Sequence, residues 1–324
     1  MFNLGELAMK KSLIALAVLG FTGAAMAQSS VTLYGVADAG IARTEARNPI
    51  TGDKTSKTGM AASGTMNNGT SRLGVRGVED LGGGLKVGFN FEHGLSLGNG
   101  AGNLSGGQMW SRAANLWIGG NWGTFKMGRT LNPSFYGLAT WELTGVANYS
   151  VVGNTYGFTG EGPRTSNQFS YKTPNLGGFT AELGYVLKDD NAGKAKWDLN
   201  AIYANGPIGV GLSVNKEKDS KTNYALGGNY NFGNFKVAAS YHNVYAAGSD
   251  LKRRGFSLGG TANLGAFAVT LDLTRDTKND FGGKKYTNGV LEGKYALSKR
   301  TFVYAAYLRL DSTNNYGIGL RHNF

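Results

Sequence analysis

The last eleven residues, Asn314-Asn-Tyr-Gly-Ile-Gly-Leu-Arg-His-Asn-Phe324, alternate strictly in character and stop on an aromatic ring. One face of a strand would carry Tyr316, Ile318, Leu320, His322 and Phe324, and the other would carry Gly317, Gly319, Arg321 and Asn323. A closed membrane barrel needs such a final strand, because the strand must pair with the first one and separate lipid from water. We therefore predict a transmembrane β-barrel whose closing strand, with Tyr316 and Phe324, is also read by barrel-insertion machinery.

The beginning of the chain has the pattern of an export signal. A pair of lysines is followed by an apolar run over residues 13–21 and by small residues that end at Ala27. This run is far shorter than the roughly 20 residues that a transmembrane helix needs. We predict that residues 1–27 are a removed signal peptide, with Met9 as the start of translation, and that residues 28–324 form the barrel.

Composition narrows the function. The 324 residues include no cysteine, so a disulfide framework is excluded. The net charge is +12, but the 33 lysines and arginines are dispersed along a chain with an export signal, which argues against a nucleic-acid partner. A positively charged pore interior is a better use of these cations. The 52 glycines and the 11% aromatic content suit tight turns and the aromatic girdles of a barrel.

About sixteen segments of nine to twelve residues alternate with a period of two, as residues 179–188 do. Short turns alternate with long polar connections, of which 131–163 is the longest after the first. Short turns are periplasmic and long loops are extracellular in such barrels. The even strand count and the two termini on the short-turn side allow closure, and every proline falls in a loop or turn.

Four motifs are spread along the predicted mature chain: Ser30-Val-Thr-Leu-Tyr-Gly35, Ser71-Arg-Leu-Gly-Val-Arg-Gly-Val-Glu-Asp-Leu-Gly82, Leu297-Ser-Lys-Arg-Thr301 and Gly319-Leu-Arg-His-Asn-Phe324. They resemble motifs of the Gram-negative general porins of the beta-proteobacterial and neisserial type. The resemblance implies an all-β, 16-stranded antiparallel outer-membrane barrel, trimeric, with the long third loop folded into the lumen. It also implies passive diffusion of small hydrophilic solutes, often with an anion preference set by inward arginines. Lipid and lipopolysaccharide would surround the barrel, and no cofactor would be needed.

The candidate pore constriction consists of Arg72, Arg112 and Arg164. Arg72 lies on the other face of its strand from the apolar Leu73, hence toward the lumen, and the same parity argument places Arg164 there. Arg112 is added by the family resemblance. Guanidinium groups stay charged and attract anions. The alternative reading is that these arginines only solubilise the wall.

The remaining candidate residues follow from the same two arguments. Facing the arginines across the lumen, the third loop contributes two acids, Glu142 and Glu161. Charged residues assigned to the lumen wall are Arg76, Lys86, Lys172 and Arg309. Small or polar outward residues on the early strands, which suit a trimer contact better than lipid, are Gly35, Ala37, Ala39, Ala113 and Asn115.

The sequence leaves two other function classes open as alternatives to a general porin. A substrate-selective channel would carry a saturable site for one anion or organic acid. An enzyme has weaker support: Gly255-Phe-Ser-Leu-Gly259 matches a nucleophile elbow, but the alternation runs straight through it, which places Ser257 in a plain strand. The three histidines lie in separate strands without metal-ligand spacing.

Overall fold

The computed structural model describes residues 30–48, 51–102 and 107–324; the predicted signal segment 1–27 lies outside these ranges. The strands are β1 (Ser30–Arg47), β2 (Lys54–Ala61), β3 (Arg72–Gly82), β4 (Leu85–Gly94), β5 (Ala113–Gly120), β6 (Gly123–Leu131), β7 (Arg164–Lys172), β8 (Phe179–Val186), β9 (Lys196–Asn205), β10 (Ile208–Glu217), β11 (Asn223–Asn231), β12 (Phe235–Tyr245), β13 (Lys252–Leu264), β14 (Phe267–Asn279), β15 (Thr287–Ala296), β16 (Thr301–Leu310) and β17 (Thr313–Asn323). Two short helices, α1 (Pro133–Ala139) and α2 (Val151–Tyr156), lie between β6 and β7, and a 3-10 turn covers Lys188–Asp190. Nowhere in these ranges does a helix have the length and apolarity to span a membrane.

Sixteen of these strands form a closed antiparallel barrel. Each strand from β3 onward pairs with the next one in the chain, and β1 closes the ring by pairing with both β3 and β17. The closing register runs from Val36 opposite Asn323 to Ala46 opposite Thr313. The predicted 16-stranded antiparallel barrel, closed by pairing of its first and last strands, is confirmed.

The remaining strand, β2, is an addition that the alternation pattern did not predict. It pairs with the upper half of β1, from Gly40 opposite Ala61 to Arg47 opposite Lys54, and so builds a hairpin inside the first long connection. Its sequence, Lys-Thr-Ser-Lys-Thr-Gly-Met-Ala, is polar on both faces. A strand that buries neither face has no apolar period by which it could be recognised.

Most strands are apolar outside and polar inside. In β14, Leu271 and Leu273 are exposed, whereas Thr270, Asp272 and Thr274 are buried. This is the reverse of a soluble sandwich, whose buried face is the apolar one, and it is the pattern of a barrel that faces lipid.

Strand β16 departs from this pattern and corrects one assignment. Its buried inner residues are Tyr304, Ala306 and Leu308, and they belong to a cluster with apolar side chains of the β6–β7 connection. Arg309 therefore lies on the outward face with Tyr307, near the long-loop end, instead of on the lumen wall as predicted. The apolar face of β16 contacts protein instead of lipid, so strand parity assigns its faces the wrong way round.

Strand β5 corrects a second assignment. Ala113 and Asn115, which were expected outside, are buried opposite Glu92 and Asn90 and line an inner cavity, while Leu116 is exposed. Gly35, Ala37 and Ala39 do share the face of the exposed Leu33. Of the five small or polar residues expected outside, only the three on β1 therefore lie on the outward face.

Candidate functional site

Three arginine side chains meet around one carboxylate on the inner face of the barrel. Arg112 Nε lies 2.6 Å from Glu92 Oε1, and Arg72 Nε lies 3.5 Å from Glu92 Oε2. Arg164 joins them by donating from Nε to the backbone carbonyl oxygen of Arg112 at 2.9 Å. The structure therefore brings together the three arginines that were predicted to converge, and it adds an acid at their centre.

Strand pairing explains why these side chains meet. Glu92 in β4 lies opposite Gly74 in β3 and Ala113 in β5. Arg72 is two residues from Gly74 and so shares its face, and Tyr34 donates from its hydroxyl to Glu92 Oε2 at 3.0 Å. A Cβ on Gly74 would come closer than 3.0 Å to the Tyr34 ring, so this glycine makes room for the tyrosine.

The position of Arg164 in the cluster does not follow from strand parity. The register between β6 and β7 shifts between Gly128 and Thr130, and Asn167 has a φ of 53°. This is a β-bulge, which flips the alternation on one side of it. Gln168 is buried on the inner face of β7, but because the bulge lies between them, its orientation does not determine that of Arg164. Arg164 takes its position as the first residue of β7, where the preceding connection ends.

The arginine cluster separates two cavities inside the barrel. One, of about 580 Å³, lies toward the short turns and is lined by Thr32, Arg76 and Lys126 among others. The other, of about 760 Å³, lies toward the long loops. The residues that line both cavities are Glu92, Arg112, Leu131 and Arg164. A solute that passed from one cavity to the other would meet this cluster.

The β6–β7 connection, residues 132–163, is held to the polar face of β9 and β10 at its first helix. Asp198 accepts hydrogen bonds from Ser134 through both its backbone N (2.7 Å) and its Oγ (2.6 Å). Asn200 Nδ2 donates to the Pro133 carbonyl at 2.7 Å, and Ser213 Oγ donates to the Ser134 carbonyl at 3.1 Å. Pro133 begins α1, where proline costs no helical hydrogen bond.

Large aromatic side chains hold the rest of the connection against the strands. Trp141 and Tyr156 both pack on the buried His242 of β12, with ring centroids 5.7 and 4.4 Å apart. Tyr149 packs on Tyr304 of β16 at 5.8 Å. All of these rings are almost fully buried. They therefore pack the connection onto the wall and are not exposed to a solute in the lumen.

A family model described as Gram-negative porin matches residues 12–315 of the chain. The chain belongs to the Gram-negative porin family. Outer membrane porin protein 32 of Delftia acidovorans is 36% identical over 338 residues, which cover 96% of this porin and 92% of that protein. An outer membrane porin protein of Bordetella pertussis is 30% identical over 390 residues, covering 98% of this porin and 100% of that one.

A solved structure agrees with the family assignment. The anion-selective porin from Comamonas acidovorans matches with a TM-score of 0.77 and 29% identity, covering 92% of this porin and all of that chain. The resemblance drawn from the sequence motifs is thereby confirmed.

The two loop acids of the porin do not face the arginine cluster. Glu142 is buried and accepts hydrogen bonds from Thr144 Oγ1 and Val146 N, both at 2.6 Å, so it shapes a turn within the connection. Glu161 forms an ion pair with Lys196 of β9. The acid that does meet the arginines is Glu92.

Three of the four predicted wall cations lie on the inner face of the porin. Arg76 packs over the Tyr34 ring at 5.1 Å from the centroid. Lys86 is exposed and lies 3.7 Å from Asp80. Lys172 lies opposite the inward Glu182. These cations line the region between the arginine cluster and the short turns.

One tyrosine of the connection faces the smaller cavity beside Arg164. Burial, and secondarily the nearby Glu182, raise the pKa of Tyr136 to about 12. Its hydroxyl therefore stays neutral at physiological pH and adds a hydrogen-bond donor, without charge, to the cavity wall.

The closing residues lie as the terminal pattern predicts. Tyr316 is opposite Arg43 in β1, and its ring packs on Tyr307 with centroids 5.1 Å apart. Phe324 is half exposed and packs on His322. Both aromatic side chains belong to the outward, lipid-facing side of the closing strand.

Two site residues were missed by sequence reasoning. Glu92 is the first, because a single inward acid in a strand carries no signal of its partners. Asp198 belongs to an alternating segment, in which parity predicts no more than an ordinary wall residue. The pairing of β4 with β3 and β5 was the available signal for Glu92, because it predicts that Glu92 lies beside Arg72 and Arg112.

Proposed function

We propose that the protein is an outer-membrane porin whose water-filled channel lets small hydrophilic solutes diffuse passively, with a preference for anions. The observation that carries the proposal is the cluster at the boundary of the two cavities, where two guanidinium groups pair with one carboxylate and a third guanidinium, that of Arg164, lies beside them without a carboxylate partner of its own among the described residues. Its excess positive charge would lower the energy of a passing anion and raise that of a cation. The names of the relatives and the anion selectivity of the solved neighbour support the same function.

We further propose that residues 132–163 narrow the channel. The support is the set of contacts from α1 to β9 and β10 and from α2 to β13, β14, β15 and β16. They include hydrogen bonds to the inward side chains of Asp198, Asn200 and Thr274. With one side of the lumen occupied in this way, the arginines on β3 to β7 face the remaining space. The constriction would then be positive on its open side.

Several inward acids are buried beneath the connection, and their burial favours the proposed anion preference because it reduces their attraction for cations. Asp198, Asp272 and Glu292 are inward residues of β9, β14 and β15, and each is at most 2% exposed. Asp198 is bonded to Ser134, and Lys294 beside Glu292 donates to the Thr144 carbonyl at 2.9 Å. Acids that are removed from water in this way attract cations to the channel much less than open ones would.

The test replaces Arg72, Arg112 and Arg164 by serine and measures the zero-current potential of the reconstituted porin in a KCl gradient. We expect the potential to move toward cation preference and the conductance to rise slightly, because the side chains are smaller. The matched control replaces three arginines away from the lumen, Arg254, Arg275 and Arg300, and should leave the potential unchanged. An unchanged potential in the first variant would show that selectivity is set elsewhere.

The same recordings separate diffusion from a saturable site. Conductance through a diffusion channel rises in proportion to solute concentration, whereas a binding site for one anion produces saturation and block. We expect proportionality for small organic acids. Saturation at low concentration of one solute would instead support a substrate-selective channel.

Export, membrane insertion and assembly complete the proposal. We expect cleavage after Ala27, to be checked by sequencing the mature N-terminus, and insertion that depends on the terminal strand ending at Phe324. A homotrimer is supported by the outward face of β1, where Val31 and Leu33 are 70% and 63% exposed beside Gly35. Native mass spectrometry of the detergent-extracted porin measures this directly.

A further inference from the structure

The return from β2 to β3, residues 62–71, packs against inward side chains of the barrel. Its residues Met66, Asn67 and Ser71 are each at most 3% exposed. Met66 belongs to the apolar cluster that includes Tyr304, an inward residue of β16. Part of the first long connection therefore covers the inner face of the closing strands.

Two glycines make room for this segment. A Cβ on Gly317, an inward position of β17, would come 2.9 Å from the Cβ of Met66. A Cβ on Gly69 would come 2.8 Å from Nη1 of Arg321. The glycine at 317 in the alternating closing strand is thus explained by a loop that lies on its inner side.

A buried acid of β1, Asp38, anchors the segment. Its Oδ1 accepts a hydrogen bond from Asn67 Nδ2 at 2.9 Å, and its Oδ2 accepts one from Gly69 N at 2.8 Å. Tyr304 donates from its hydroxyl to Oδ1 at 2.6 Å, and the backbone N of Asp38 donates to Ser71 Oγ at 2.9 Å. Neutral donors therefore satisfy both oxygens of this carboxylate.

Arg321 lies directly opposite Asp38 in the pairing of β17 with β1, yet the two do not form an ion pair. Arg321 donates from Nη1 to Asn68 Oδ1 at 2.7 Å and from Nε to Asn323 Oδ1 at 3.1 Å. Within residues 30–48, 51–102 and 107–324, no carboxylate forms an ion pair with Arg321. The segment occupies the acid and holds the guanidinium by an amide, so the charge of Arg321 is not neutralised by a partner.

The segment also contacts the β6–β7 connection. Asn148 donates from its backbone N to the Asn68 carbonyl oxygen at 3.3 Å and from Nδ2 to the Gly64 carbonyl oxygen at 3.1 Å. Asn68 Nδ2 donates to the Tyr149 hydroxyl at 2.8 Å. Asn68 therefore links the connection to Arg321.

Arg321 lines the same cavity as the arginine cluster. This cavity, of about 760 Å³, is also lined by residues 63–65 and 68–70 of the segment. Asp38 does not line it, since that residue is fully buried beneath the segment. An ion in the cavity therefore meets the charge of Arg321 more directly than that of Asp38.

We propose that residues 62–71 form a second wall of the channel constriction and that Arg321 is a fourth cation that determines its preference for small anions. Asn68 is the positioning residue, because its amide holds the guanidinium beside the cavity. The inference rests on the proposed porin function and adds to it a loop and a cation outside the three predicted arginines.

The first experiment measures the zero-current potential of the reconstituted porin in a KCl gradient for three single variants. Arg321→Gln should lower the chloride-to-potassium permeability ratio about twofold, since one unit charge about 10 Å from an ion has an effect of that order in water at about 0.1 M salt. Asn68→Asp should lower the ratio by a similar factor, because the new carboxylate would pair with Arg321 without removing it. Arg321→Lys keeps the charge and should restore the ratio. A loss in Arg321→Lys as large as in Arg321→Gln would overturn the proposal, because the arginine would then have only a structural role.

Matched controls change the charge by the same amount away from the lumen. Arg275→Gln alters an outward position of β14 and Asn205→Asp an exposed short turn, and both should leave the permeability ratio unchanged. If Arg321→Gln left the ratio unchanged while serine at the three clustered arginines lowered it, this inference would be wrong and the proposed function would stand. If the unaltered porin had no anion preference, the proposed selectivity and the role of Arg321 would fail together.

The second experiment tests the position of the segment independently of ion selectivity. The chain has no cysteine, so Thr65→Cys introduces a single thiol at an exposed position of the segment in the cavity. Attachment of a bulky maleimide there should reduce the single-channel conductance. The control, Thr55→Cys on the exposed strand β2, should react without a change in conductance. Equal conductance before and after modification of Thr65→Cys would overturn the assignment of residues 62–71 as a wall of the constriction.

Discussion

The ring of Phe324 occupies the space that a side chain on Gly35 would need. The two residues exchange backbone hydrogen bonds, Gly35 N to Phe324 O at 3.0 Å and Phe324 N to Gly35 O at 3.1 Å. A Cβ built on Gly35 would come closer than 3.0 Å to the ring. The last residue of the chain thus closes the barrel at a position that only glycine leaves open.

Gly35→Val should destabilise this closure. Overpacking of a well-packed contact costs about 1–3 kcal/mol, so we expect a lower midpoint of thermal unfolding and a smaller folded fraction on unheated electrophoresis gels. Gly59→Val on β2 is the control, because an added Cβ there meets no atom within 4 Å. Equal stability of the two variants would contradict a specific role of the Gly35–Phe324 contact.

Glu92→Gln should increase the anion preference. The amide removes the only negative charge bonded to Arg72 and Arg112 among the described residues, while it keeps the size of the side chain. The zero-current potential in a KCl gradient should move further in the anion direction. Glu45→Gln removes an acid that is paired with Arg43 at the rim and should have no such effect. A shift of the same size in both variants would mean that only the net charge of the protein matters.

Trp141 and Gly227 should be energetically coupled. A Cβ on Gly227 would lie closer than 3.0 Å to the Trp141 ring, so Gly227→Ala should displace the connection and alter conductance. Trp141→Ala alone should cost about 3–5 kcal/mol, because it empties a buried site. In the double variant the alanine has room, and a coupling of about 0.5–3 kcal/mol should appear in unfolding measurements. Strictly additive effects would show that the ring does not lie on Gly227.

Ser134→Ala should weaken the attachment of α1. It removes the 2.6 Å hydrogen bond to Asp198 and leaves one oxygen of a buried carboxylate without this donor, which costs about 1–3 kcal/mol. We expect greater current noise in single-channel recordings and a lower unfolding midpoint. Ser312→Ala, at an exposed loop position, should change neither quantity.

Arg309→Ser and Arg76→Ser test the assignment of faces. Arg76 lines an inner cavity and Arg309 an outer one. Only Arg76→Ser should shift the zero-current potential toward cations. A shift of the zero-current potential with Arg309→Ser would show that Arg309 lies on the lumen wall after all.

The sequence was sufficient for the barrel because most strands have one kind of environment on each face. Leu271 and Leu273 meet lipid while Asp272 and Thr274 are inside, so alternation gives both the strand and its orientation. The closing strand and the short turns follow from the same reasoning. These features depend on local periodicity, which a single sequence shows directly.

Orientation failed where the inside of the barrel is also apolar. Leu308 and Tyr304 contact protein, so the apolar face of β16 is the inner one and Arg309 points outward. The bulge at Asn167 likewise interrupts the alternation that linked Gln168 to Arg164. Glu92 was not recognised as a site residue because its role comes from strands that bring distant arginines beside it. Each failure reflects a tertiary contact that strand parity does not contain.

The placement of Asp198, Asp272 and Glu292 beneath the β6–β7 connection would link the proposed ion preference to conformation. If the connection lifted from the wall, these carboxylates would meet water and the balance of charge along the permeation path would become more negative. The size of the diffusion potential across the membrane would then report how far the connection has moved. A pair of electrodes would thus follow a structural coordinate of an unlabelled protein in real time.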